Sequence, residues 1–113
     1  MIHSSSVIEK SAKIGKNIKI GPFCYVGQKV QINDDVELVS NVHIEGNTTI
    51  GRGTKIFPFA SIGTAPQDLK YKGEKNSIQI GENNIIREYV TINPGTAGGV
   101  SKTVVGNNCL LMI

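Results

Sequence analysis

Nowhere does the 113-residue sequence reach the ~18 continuous apolar residues that a membrane-spanning helix requires. Its opening, Met1-Ile2-His3-Ser4-Ser5, lacks the charged-then-apolar layout of a secretion signal. A cytoplasmic protein without a membrane span is the expectation. Cysteine is scarce: Cys24 and Cys109 have no CxxC spacing, which argues against a disulfide framework or a zinc motif. Both read as small buried side chains in a reducing compartment. Histidine is equally scarce, and His3 with His43 falls one ligand short of a three-histidine metal site, so no metal and no cofactor are expected. A net charge of +3, with lysine and arginine dispersed along the chain, gives no basic stripe for nucleic acid, although it suits an acidic partner or a phosphorylated ligand. The length allows one small domain at most, with a thin core that gains from neighbours.

What the sequence has is a repeat. Every sixth residue from Ile2 is aliphatic: Ile2, Ile8, Ile14, Ile20, Val26, Ile32, Leu38, Ile44, Ile50, Ile56 and Ile62. Four residues after each of the first ten comes Ser6, Ala12, Ile18, Cys24, Val30, Val36, Val42, Thr48, Thr54 or Ala60, nearly all small or β-branched and therefore also inward. The residue just after the aliphatic is often glycine, as at Gly15, Gly21, Gly27, Gly51 and Gly63, and the remaining places are mostly polar and face water. A period of six fits neither the 3.6 of a helix nor uninterrupted two-residue alternation. It requires a turn in every repeat. Short strands broken by glycine and asparagine, which tolerate left-handed backbone, satisfy it: each hexad forms one flat side and three form a triangular coil. Coils stack at about 4.8 Å, so that Ile2, Ile20, Leu38 and Ile56 make one interior ladder. The expectation is a single all-β domain over 1–113, a parallel β-helix of about five to six coils.

The repeat breaks twice. After Ile62 the expected aliphatic positions hold Asp68 and Glu74, and a charge cannot replace an aliphatic in that column without a large desolvation cost. A loop over about 66–79 must bulge outward before the pattern resumes at Ile80-Gly81, Ile86 and Ile92. A second loop, about 94–103, precedes Val105-Gly106 and Leu111. A solenoid accepts insertions only outside its coils, and such loops either build a binding surface or stay inert.

Runs such as Ile14-Gly15-Lys16-Asn17-Ile18-Lys19 and Ile50-Gly51-Arg52-Gly53-Thr54-Lys55 resemble the hexapeptide repeat of bacterial acyltransferases, whose β-helix winds left-handed against the usual right-handed rule for parallel crossovers. Five longer stretches narrow the resemblance: Ile20-Gly21-Pro22-Phe23-Cys24, Phe59-Ala60-Ser61-Ile62-Gly63, Gln67-Asp68-Leu69-Lys70-Tyr71, Ile86-Arg87-Glu88 with Val90-Thr91-Ile92, and Leu110-Leu111-Met112-Ile113. In that order they resemble the UDP-N-acetylglucosamine O-acyltransferases that open lipid A biosynthesis. The resemblance implies a homotrimer that moves a 3-hydroxyacyl group from acyl carrier protein to the 3-hydroxyl of UDP-N-acetylglucosamine in clefts between subunits. It also implies that Asp68 and Lys70 contact the nucleotide sugar, with Gln67 beside them. A carboxylate accepts sugar hydroxyl or amide donors, and a lysine neutralises phosphate charge.

Two departures qualify this. Where much of the family has a histidine after Val-Thr-Ile, this chain has Asn93, followed by Pro94; asparagine still hydrogen-bonds a ligand but cannot titrate. The family's catalytic histidine is implied to lie just beyond Leu110-Leu111-Met112-Ile113, so no catalytic residue is assigned within this chain. The 113 residues alone are then expected to be inactive and prone to associate. His3 and His43 occupy outward hexad positions away from the loops and are poor substitutes for that base. Two other readings stay open: a non-catalytic nucleotide-sugar-binding module retaining Asp68 and Lys70, and a purely structural β-solenoid.

Overall fold

Aliphatic and β-branched residues separated by turn formers produce strands of only two or three residues over most of the chain. The computed structural model describes residues 1–64, 76–93 and 101–113. Along it run β1 (Val7–Ile8), β2 (Lys13–Ile14), β3 (Lys19–Ile20), β4 (Tyr25–Val26) and β5 (Gln31–Ile32). There follow β6 (Glu37–Leu38), β7 (His43–Ile44), β8 (Thr48–Ile50), β9 (Lys55–Ile56) and β10 (Ser61–Ile62). The last are β11 (Asn76–Ile80), β12 (Ile85–Ile86), β13 (Thr91–Ile92), β14 (Ser101–Val105) and β15 (Leu110–Leu111).

Three parallel five-stranded sheets result, in the orders β1-β4-β7-β10-β13, β14-β11-β8-β5-β2 and β15-β12-β9-β6-β3. Every third strand joins the same sheet, so the chain coils around a three-sided prism. Corresponding residues lie 18 apart at Ser6 and Cys24, 30 apart at Thr54 and Asn84, and 25 apart at Asn84 and Cys109. The larger spacings absorb the two insertions without disturbing the column. Ile80, not Asp68, stacks on Ile50, and Ile86, not Glu74, stacks on Ile56.

The interior consists of three aliphatic ladders. Ile20, Leu38, Ile56 and Ile86 form one, begun by the Ile2–Ile20 bridge; Val26, Ile44, Ile62 and Ile92 form the second; Ile32, Ile50 and Ile80 form the third. All of these from Ile20 onward are buried, while Ile8 and Ile14 in the first coils pack against the column only partly covered. Asn84 takes the position four after Ile80, where a small or β-branched residue would continue the pattern, and it is fully buried.

Strand resumes earlier than the periodicity predicts. β11 starts at Asn76 and β14 at Ser101, ahead of the loop ends expected near 79 and 103. The reason is mutual pairing. The two segments align residue for residue from Asn76↔Ser101 to Ile80↔Val105, satisfying backbone groups that neither could satisfy alone.

The corners also depart from expectation. Left-handed backbone occurs at Asn17, Asp35, Asn41, Asn83 and Asn108, but also at Phe23, Phe59 and Tyr89. Bulky side chains rarely adopt that conformation. Here the ladder imposes it: Phe59 N donates to Asn41 O at 2.9 Å and Asn41 N donates to Pro22 O at 3.0 Å. The Phe59 and Tyr89 rings stack with centroids 5.4 Å apart.

Candidate functional site

Both insertions leave the prism from the sheet that contains β10 and β13. Those strands pair as Ser61↔Thr91 and Ile62↔Ile92, and Gly63 N donates to Ile92 O at 2.8 Å. Gly63 then turns at φ +82°, and a Cβ there would lie 1.8 Å from Glu45 O. Only glycine fits that turn. It brings Thr64 outward over the outer face, where Thr64 Oγ1 donates to Asn93 Oδ1 at 3.1 Å. Ser61 Oγ donates in turn to Thr64 Oγ1 at 3.4 Å. Thr64 precedes the first insertion and Asn93 the second, so one hydrogen-bonded chain ties the two departure points together.

Asn93 is exposed at this junction, as a ligand contact would need. Gln67, Asp68 and Lys70 lie outside the described residues. Thr64 and Ser61 were not foreseen, because nothing in the hexad distinguishes a threonine after Gly63 from any other outward polar residue. Only the pairing of β10 with β13 makes it a neighbour of Asn93.

The same outer face continues through a polar ladder. Tyr25 and His43 are register partners, and their rings stack with centroids 4.9 Å apart. The Tyr25 hydroxyl donates to Glu9 Oε2 at 2.9 Å, and His43 Nε2 lies 3.4 Å from Glu45 Oε1. The hydrogen bond to Glu9 holds the proton on Tyr25 and raises its pKa, with partial burial and the carboxylates of Glu9 and Glu45 adding to the effect. His43 is thus half-covered on an outer face. His3 belongs to the first coil, after the residue that bridges to Ile20, and its Nδ1 meets Ser5 N at 3.1 Å and Ser5 Oγ at 2.8 Å. The two histidines sit against different sheets. Among the described residues no group of three or more His, Cys, Asp or Glu side chains converges in a way that could hold a metal ion. No helix among them is long and apolar enough to cross a membrane.

The cysteines differ from each other. Cys24 is buried, whereas Cys109 is only half-buried in the last coil, a correction to the expectation of two buried thiols. Burial pushes the Cys24 thiol up, outweighing the hydrogen bonds from Val42, Ser6 and Asn41 that favour the thiolate. Alkylation with iodoacetamide near neutral pH is expected to label Cys109 at least about tenfold faster than Cys24, by mass spectrometry, because the buried thiol reacts only when its coil opens. Equal rates would contradict this packing.

Residues 11–46 match the family described as bacterial transferase hexapeptide (six repeats). Over 112 residues, 99% of its length, the chain is 55% identical to an acyl-(acyl-carrier-protein)-UDP-N-acetylglucosamine O-acyltransferase of Rickettsia peacockii, of which it covers 42%. The corresponding protein of Helicobacter pylori is 60% identical over 68 residues, covering 60% of this chain and 25% of that one. Among solved structures, a UDP-N-acetylglucosamine acyltransferase from Bacteroides fragilis superposes with TM-score 0.92 at 50% identity, over 99% of this chain and 44% of that one. The Francisella novicida enzyme gives 0.91 at 50% identity, over 99% and 41%. A helix of opposite hand would not superpose at such scores, so the coil is the left-handed β-helix of these proteins. The chain spans about two-fifths of the length of the Rickettsia relatives it matches. The chain thus carries the bacterial transferase hexapeptide repeat on a left-handed β-helix and aligns, along nearly its whole length, with part of the acyl-(acyl-carrier-protein)-UDP-N-acetylglucosamine O-acyltransferases.

Proposed function

We propose that this chain is part of a cytoplasmic, homotrimeric O-acyltransferase that transfers a 3-hydroxyacyl group from acyl carrier protein to the 3-hydroxyl of UDP-N-acetylglucosamine, the first step of lipid A biosynthesis. The observation that carries the reading is the match of 99% of this chain, at 50% identity, to part of solved UDP-N-acetylglucosamine acyltransferases, on a β-helix of the same path. In the reaction the sugar hydroxyl gives up its proton, its oxygen bonds to the thioester carbonyl, and the carbon–sulfur bond breaks to release the carrier thiol. The hydroxyl is a weak nucleophile at neutral pH and needs a general base. No residue of this chain is assigned that role. The chain's own part is recognition: Asp68 accepts hydrogen bonds from the sugar, Lys70 neutralises diphosphate charge, and Gln67 and Asn93 supply neutral polar contacts.

Association into a trimer is supported by one edge of the prism, where Phe23, Phe59 and Tyr89 are 68%, 53% and 62% exposed. A neighbouring copy covering that edge would remove apolar surface from water.

Titration calorimetry with UDP-N-acetylglucosamine tests the recognition. Asp68→Ala and Lys70→Ala are each expected to weaken binding roughly 10- to 100-fold, the range for losing a hydrogen bond to a charged group. Affinities unchanged from the parent chain would leave the loops inert and refute the assignment.

A further inference from the structure

Thr64 and Asn93 are 29 residues apart in sequence and meet because β10 and β13 pair in register. Their hydrogen bond has a direction. A threonine hydroxyl carries one proton and accepts at its lone pairs. Ser61 Oγ donates to Thr64 Oγ1, and Thr64 Oγ1 donates to Asn93 Oδ1. With Oδ1 engaged, the carboxamide is fixed about its last torsion, and the end turned away from Thr64 is the amino group.

We infer that Thr64 is a positioning residue that turns Asn93 so that its Nδ2 donor meets an oxygen acceptor, carbonyl or phosphoryl, of the bound nucleotide sugar. The inference rests on the nucleotide-sugar reading above and deepens it by giving Asn93 a defined polarity. A carboxamide donor keeps its protonation where a histidine at that position would titrate, so this contact does not switch with pH. Ser61 assists by occupying a lone pair of the Thr64 hydroxyl, which leaves its proton for Asn93.

The test uses the full chain, with UDP-N-acetylglucosamine as the probe and side-chain nitrogen-15 relaxation of Asn93 as a second readout that needs no ligand. Thr64→Val matches the parent in shape but lacks the proton. It is expected to weaken binding about three- to tenfold, the effect of one neutral hydrogen bond, and to make the Asn93 carboxamide mobile. Thr64→Ser should restore both. The double variant Thr64→Val/Asn93→Ala should bind no more weakly than Asn93→Ala alone, because the two side chains act through one group. Additive losses in the double variant would overturn the inference. So would a carboxamide equally ordered, or equally mobile, in the parent and Thr64→Val. If the parent shows no saturable binding, the nucleotide-sugar reading has failed, and the relaxation comparison still decides whether Thr64 orients Asn93.

Discussion

Ile44→Asp is expected to leave the chain unfolded. Ile44 is fully buried in the middle coil, stacked between Val26 and Ile62. The substitution removes about 2–5 kcal/mol of packing and transfer free energy. It also places a carboxylate among aliphatic side chains with no partner, which costs several kcal/mol more whether the group stays charged or takes up a proton. The sum exceeds about 5 kcal/mol and rivals the entire stability of a small domain. The position aggravates the damage, because each coil contacts only its neighbours and too few coils remain on either side to fold separately. Far-ultraviolet circular dichroism should show the strand signal lost. His43→Asp, one residue earlier and outward, should shift stability by less than about 1 kcal/mol. A folded Ile44→Asp chain would show that the column is not the source of stability.

Asn84→Ala is expected to be the most damaging change to a polar side chain among the described residues, at about 2–5 kcal/mol. The carboxamide sits inside the prism and replaces a piece of ladder. Nδ2 donates to Gly81 O at 3.1 Å and to Gly106 O at 2.7 Å, while Oδ1 accepts from Cys109 N at 2.7 Å. Thr54 Oγ1 completes the network by donating to Gly81 O at 3.2 Å and accepting from Asn84 N at 3.4 Å. Alanine leaves the Gly106 carbonyl and the Cys109 amide without these partners. Asn84→Asp keeps the acceptor but sets negative charge against two carbonyl oxygens, so it should fare no better. Urea denaturation reads the loss of stability, and hydrogen exchange at the Cys109 amide should accelerate ahead of the rest. An unchanged midpoint would sink the account. By contrast, the outer pairs Lys55–Glu37 at 3.9 Å and Arg52–Asp35 at 3.4 Å are exposed, and their removal should be nearly silent.

Asn84 also shows where sequence reasoning stops. Periodicity marks its position as inward, but a buried asparagine is tolerable only if its donors and acceptor meet backbone groups, and two of those, Gly106 O and Cys109 N, belong to the next coil, 22 and 25 residues away. The aromatic corners are similar. A turn is legible in Gly21-Pro22-Phe23-Cys24, yet left-handed backbone at Phe23 is held by its amide donating to Ser5 Oγ at 3.0 Å, a partner in the preceding coil. At the candidate site, Asn93 is identifiable as a departure from a resembled motif, whereas Thr64 carries no mark at all.

By itself the sequence determined that this protein is a three-sided parallel coil, which residues fill it and where it must open. A strict period of six requires a turn in every repeat and so a coil of short strands, though not its hand, and a charge at an aliphatic station has nowhere to go but out. The tertiary structure decided how the openings are used: β11 and β14 pair beyond the repeat, and Thr64 meets Asn93 on the same face. Those outcomes depend on register between coils, and register is the sum of many backbone hydrogen bonds across the stack, which no local run of residues contains.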